Sequence, residues 1–192
     1  AKATDLSVVS NNAVADGTAT NSVKVTTQDA NNNPVSTTVT LNAGNGAVIA
    51  DSVTTGNDGT ATVTLTSTKA GTSTVTAQVG SSTRTADVSF AADAATTKIT
   101  DLSVVNNNAV ADGTAANSVK VTTQDANSNP VSTTVTLKAS NGAVIADSVT
   151  TGDDGTATVT LASIKAGTST VTAQVGSSAK TVDVSFAANA VT

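Results

Sequence analysis

Two β-sandwiches in tandem are what this sequence predicts, and three observations carry the prediction. The first is that the chain is written twice. Asp5-Leu6-Ser7-Val8-Val9 returns as Asp101-Leu102-Ser103-Val104-Val105, and Val88-Ser89-Phe90-Ala91-Ala92 returns as Val184-Ser185-Phe186-Ala187-Ala188. The offset is a constant 96 residues, and 15 of the 96 aligned positions differ. Solenoid repeats run about 20–50 residues, whereas a small sandwich takes about 100, so each copy is a domain: 1–96 and 97–192. The second observation is composition. Thr supplies 39 of the 192 residues, Val is comparably common and Glu is absent, which favours strands over helices. The third is period. Apolar residues alternate with polar ones throughout, and no window has the i, i+3, i+4 spacing of an amphipathic helix.

Taken in order, the alternation runs Val23, Val25, Thr27 against Lys24, Thr26, Gln28, then Val39, Leu41 against Thr38, Thr40. Ala61, Val63 and Leu65 follow, then Val75, Ala77 and Val79, then Ala86, Val88 and Phe90, each set interleaved with polar residues. Turn chemistry separates the runs: Asp16-Gly17, Asn31-Asn32-Asn33-Pro34, Asn45-Gly46, Asp58-Gly59, Ala70-Gly71 and Gly80-Ser81-Ser82. Strands are therefore expected near 4–9, 22–29, 35–43, 47–54, 59–66, 72–79 and 83–91, about seven per copy, and again 96 residues later. The core is thin, with about 18 Val, Leu, Ile and Phe residues per copy and Ala and Thr filling the rest of the inner face. The junction Ala91-Ala92-Asp93-Ala94-Ala95-Thr96-Thr97-Lys98 has no Gly or Pro. It is expected to continue the last strand and limit bending, a loose Ala-rich hinge being the alternative.

Composition excludes whole chemistries. The chain has no His, Cys, Met, Trp or Tyr. Nucleophilic systems that need His as proton carrier are unavailable, and zinc ligation is reduced to scattered Asp. A formal charge of −5 and only Phe90 and Phe186 as aromatics argue against nucleic acid. No stretch of 18 apolar residues spans a bilayer, and any signal peptide is expected outside this sequence. No catalytic, cofactor-binding or metal residue is assigned, and the protein is expected not to be an enzyme.

Three candidate sites are each better read as structure. Asp29-Ala30-Asn31-Asn32-Asn33-Pro34 and its copy Asp125-Ala126-Asn127-Ser128-Asn129-Pro130 open like a calcium loop. Pro stands where that loop requires Gly, and Thr40 where it requires Glu, so an Asx- and Pro-stabilised turn is expected. Thr151-Gly152-Asp153-Asp154-Gly155 carries two carboxylates, but Asn57 replaces the first of them in the other copy. Lys24, the candidate for an intramolecular isopeptide bond, lies between Val23 and Val25 and is expected to face solvent.

The order of these elements resembles a family. Val14-Ala15-Asp16-Gly17, Val23 through Val35, Thr54-Thr55-Gly56-Asn57-Asp58-Gly59-Thr60-Ala61-Thr62-Val63, Ala70 through Ala77 and Val88-Ser89-Phe90 are similar to bacterial Ig-like group 1 repeats. Those repeats build the stalks of invasin- and intimin-type outer-membrane adhesins, the inverse autotransporters. Asn32 and Ser128 replace the family's usual Gly in its N-G-N-P turn. The resemblance implies two Ig-like antiparallel sandwiches of about seven strands each, acting as a spacer on the bacterial cell surface. The implied partners are adjacent repeats in the same chain, and host cell-surface proteins through a tip domain outside this sequence. Membrane attachment would run through a barrel also outside it. The alternative is that the repeats themselves bind a host protein or self-associate between cells. Two sandwiches end to end imply a radius of gyration of about 23 Å or more, against about 16 Å for a compact chain of this length.

Overall fold

The structure, a computed structural model, describes residues 1–191. The chain divides into two compact units, Ala1–Asp93 and Ala94–Thr192. The first holds β1 (Lys2–Ser10), β2 (Ala13–Val14), β3 (Asn21–Gln28), β4 (Thr38–Ala43), β5 (Val48–Ile49), β6 (Ser52–Thr54), β7 (Thr60–Thr66), β8 (Gly71–Val79) and β9 (Ser82–Ala91). The second repeats them as β10 (Lys98–Asn106), β11 (Ala109–Val110), β12 (Asn117–Gln124), β13 (Thr134–Ala139), β14 (Val144–Ile145), β15 (Ser148–Thr150), β16 (Thr156–Ala162), β17 (Gly167–Val175) and β18 (Ser178–Ala187). A single 3-10 turn, Ala94–Thr96, precedes β10. There the Thr97 hydroxyl donates to the Ala94 carbonyl at 2.8 Å, and the Ala126 N–H donates to Thr96 Oγ1 at 3.0 Å.

Each unit is an Ig-like sandwich of two sheets, ordered β1-β3-β7-β5 and β2-β9-β8-β4-β6 in the first and equivalently in the second. The alternation seen in the sequence becomes burial: Val23, Val25 and Thr27 face inward with Val39, Leu41, Leu65, Val75, Ala77, Val88 and Phe90, while Lys24 is exposed. Burying that apolar face drives the two sheets together. On the opening strand one inward position separates the copies by size, since Ala3 and its counterpart Ile99 are both buried.

All seven expected strands are present in each unit, and nine are counted because a two-residue strand, β2, follows β1 on the other sheet and the run 47–54 divides between the sheets. β1 ends at Ser10, and Asn12, at a left-handed φ of 64°, carries the chain across to β2 on the other sheet. Asn tolerates that conformation better than other non-Gly residues. The expected strand 47–54 likewise divides: β5 pairs with β7 and β6 with β4, while the Asp51 carbonyl between them accepts from Leu41 N–H at 2.8 Å. The expected strand 35–43 starts at Thr38, because Pro34 forms an isolated bridge with Gln28 and Val35 N–H donates to the Thr27 carbonyl at 3.2 Å, which holds this stretch against β3 instead of in β4. Finally, the sandwich is antiparallel except for one parallel pair per unit, β2 with β9 and β11 with β18.

Every sheet edge is short or irregular. β2 and β5 have two residues and β6 three, and β1 carries register shifts at Ala3/Asp5 and Val8/Ser10. Such edges offer little template to another strand.

Candidate functional site

Where the chain changes sheets, buried side-chain amides replace the missing ladder. Asn21, fully buried at the start of β3, accepts from Ala13 N–H at 3.0 Å and donates through Nδ2 to the Ser89 carbonyl at 2.9 Å. The exposed Asn11 accepts from Ser89 N–H at 2.8 Å. Backbone bonds from Asn12 N–H to the Ser89 carbonyl at 3.1 Å and from Ala15 N–H to the Ala91 carbonyl at 2.7 Å complete the seam. The second unit repeats it with Asn107, Asn117 and Ser185. Polar groups removed from water are thereby paired, which an Asn in a core requires.

A second polar cluster ties β3 to the loops around β6. The Thr27 and Thr55 hydroxyls lie 2.8 Å apart, and Thr27 Oγ1 is also 2.7 Å from the Val35 carbonyl. Thr55 Oγ1 accepts from Thr37 N–H at 2.9 Å, and the Ser36 hydroxyl donates to the Thr55 carbonyl at 2.6 Å. Together with backbone bonds from Val35 N–H to the Thr27 carbonyl and from Thr55 N–H to the Thr37 carbonyl, they hold residues 35–37, which lie outside the strands. Gly59 sits against this cluster at φ +74°, where a Cβ would come 2.5 Å from the Thr27 carbonyl.

The loops with calcium-like openings use their carboxylates on themselves. Asp29 accepts from Asn31 N–H at 2.8 Å, Asn33 N–H at 2.9 Å and Asn33 Nδ2 at 3.0 Å. The Asn33 side chain first, then the Asn33 and Asn31 amides, hold its carboxyl below the ordinary value. Asp125 makes the same bonds and is fully buried. Asp154 accepts from the Thr156 hydroxyl at 2.8 Å and the Thr156 N–H at 3.0 Å, while Asp153 beside it is exposed. Among the described residues, no group of three or more acidic side chains gathers as a metal site.

Sequence reading missed an apolar surface feature of the second copy. On the second unit a shallow hollow of about 480 Å3 is lined by Gly113, Ala116, Gly142, Val144 and Ile164 among others. Val144 is 74% exposed and Ile164 81% exposed. Thr20, Thr66 and Thr68 of the first copy are Ala116, Ala162 and Ile164 in the second, so three of the 15 differences turn this one surface apolar. The available signal was Thr66 and Thr68 changing together, two residues apart. Ala116 joins them only through the fold.

The bacterial Ig-like domain (group 1) model matches residues 3–91 and again 99–187. The chain belongs to this family. No curated protein matches it significantly. Among solved structures, InvD of Yersinia pseudotuberculosis is similar at 24% identity and a TM-score of 0.70, over 96% of this chain and 58% of that one. The D0-D1 domain of intimin is 31% identical with a TM-score of 0.45, over 96% and 98% of the two chains. Invasin, a bacterial integrin-binding protein, is 28% identical with a TM-score of 0.48, over 96% of this chain and 39% of its own. This chain of two bacterial Ig-like domains thus spans less than two thirds of the InvD and invasin chains.

Proposed function

We propose that this chain is a spacer segment of a bacterial cell-surface adhesin, without catalytic activity, holding a distal receptor-binding region away from the outer membrane. The observation that carries the reading is the fidelity of the duplication. β12 and β16 pair in the same register as β3 and β7, Lys120↔Thr158 standing for Lys24↔Thr62. The Asn seam and the Thr pair also recur bond for bond. A unit whose sheets, turns and internal polar bonds all survive copying can be added to lengthen a chain. Membership of the family and similarity to domains of intimin and invasin support the surface location. Attachment through a barrel and receptor contact through a tip belong to regions outside this sequence.

Solution scattering of the two-unit chain tests the spacer: a radius of gyration of about 23 Å or more is expected, and about 16 Å would count against it. The hollow at Val144 and Ile164 favours a second reading, in which the second unit itself contacts a host protein. Intimin is described in complex with its translocated receptor and invasin as integrin-binding, so a protein ligand has precedent among similar structures. Binding of the isolated chain to host cells, abolished by Ile164→Thr, would favour this reading over the spacer.

A further inference from the structure

We infer that each unit contains a force-bearing clamp made by its first and last strands, reinforced by side-chain locks at both ends of that strand pair. The inference rests on the spacer reading, since only a chain held at both ends carries tension.

The geometry within the first unit is specific. Near the start of β9, the Ser82 hydroxyl accepts from Ala3 N–H at 3.2 Å and donates to the Ala3 carbonyl at 3.0 Å. Near the end of β9, Ala13 pairs with Phe90 and Val14 with Ala91 in parallel. Residues 3 to 14 therefore run beside residues 82 to 91 in the same direction. The chain enters the unit at one end of this pair and leaves at the other. Tension pulls β1 and β2 one way and β9 the opposite way, along the strands. Bonds between them are loaded in shear and must yield together, rather than opening one at a time as a hairpin pulled apart sideways would.

The backbone alone supplies few bonds for this work, because β2 pairs over only two residues. The side chains of Asn11 and Asn21 add three more at Ser89 and Ala13, between 2.8 and 3.0 Å. Ser82 adds its two at the far end. The second unit repeats the Asn lock, Asn107 accepting from Ser185 N–H at 2.8 Å, and one bond of the Ser lock, Ser178 accepting from Ile99 N–H at 3.0 Å. Asn11 is exposed, so at equilibrium water replaces its bond at small cost. Under load, the rate of strand separation governs survival, and a bond sheared in that step counts in full.

The test pulls the two-unit chain from its termini in a single-molecule force instrument. Asn11→Ala with Asn107→Ala removes one bond of the lock in each unit. Thr74→Ala with Thr170→Ala, which removes an exposed Thr–Asp bond between antiparallel strands, is the control. The Asn variant is expected to unfold roughly fivefold faster than the parent at a given force, with the control unchanged and both close to the parent in denaturant midpoint. Ser82→Ala with Ser178→Ala should reproduce the Asn effect from the other end. Equal rates for the Asn variant and the control would overturn the clamp. So would a loss of equilibrium stability large enough to explain the whole change in rate. Neither outcome touches the spacer reading, which scattering decides separately.

Discussion

At the residue scale, Ser73 and Ser169 are the buried side chains without a hydrogen-bond partner among the described residues. Both are fully buried on the inward face of β8 and β17. An unpaired buried hydroxyl costs free energy that a methyl group does not, so Ser73→Ala with Ser169→Ala should stabilise each unit by about 1 kcal/mol, read as a rise in denaturant midpoint. Ser128 is strained in a different way. It holds φ +67° in the turn before Pro130, at the position where it replaces the Gly usual in the repeats this chain resembles. Ser128→Gly keeps the bond from residue 128 N–H to the Asp125 carbonyl and relieves a left-handed conformation costing about 1–2 kcal/mol for most residues. The second unit should gain up to about 1 kcal/mol, because added chain entropy in the unfolded state offsets part of the relief. A loss of stability would show that the backbone there is not strained.

At the scale of elements, the turns carry the molecule's response to acid. Asp16 and Asp112 are held below the ordinary carboxylate value by the N–H groups two and three residues on, that of Ala19 or Ala115 foremost. Asp29, Asp58 and Asp154 are lowered by similar bonds within their own turns. A carboxyl depressed in the folded state contributes stability that is present above its unfolded value and lost as pH falls through its folded one. The denaturant midpoint should therefore stay level from about pH 8 to 5, where no His titrates, and fall below about pH 4. A midpoint falling already between pH 7 and 5 would contradict this origin. The same turns show what was legible in the sequence. Asp-Gly, Asn-Gly and Asn-Pro pairs located the strand ends because their backbone preferences are local. The sheet changes at Asn11-Asn12 and Ala50-Asp51 were not legible. Each depends on which distant strand captures the freed backbone: Ser89 in one case and Leu41 in the other. The buried Asn21 was hidden for the same reason. Its two partners lie 8 and 68 residues away.

For the whole molecule, duplication was plain in the sequence, but the inequality of the copies was not. Ile99 replaces Ala3 in the core, and Val182 replaces Ala86 against it. At about 0.8 kcal/mol per buried CH2, the larger side chains add apolar burial to the second unit alone. Denaturant unfolding is expected to show two transitions, the second unit outlasting the first by about 2 kcal/mol. Ile99→Ala should draw the two together. A single coincident transition in the parent, unchanged by Ile99→Ala, would refute the assignment.

That core difference also acts as a label. Two near-identical units joined by a few residues meet during folding at an effective concentration of about millimolar, where a neighbour's strand competes with the right one. Short, irregular edges deter pairing between finished sheets, but they do nothing against exchange of a whole first strand. Exchange here has a size penalty in one direction: β10 lodged in the first unit would force Ile99 into the space that Ala3 fills, at a cost of about 1–3 kcal/mol. The reverse swap would leave a void in the second unit. One side chain on the opening strand thus tells each copy which half of the chain it came from.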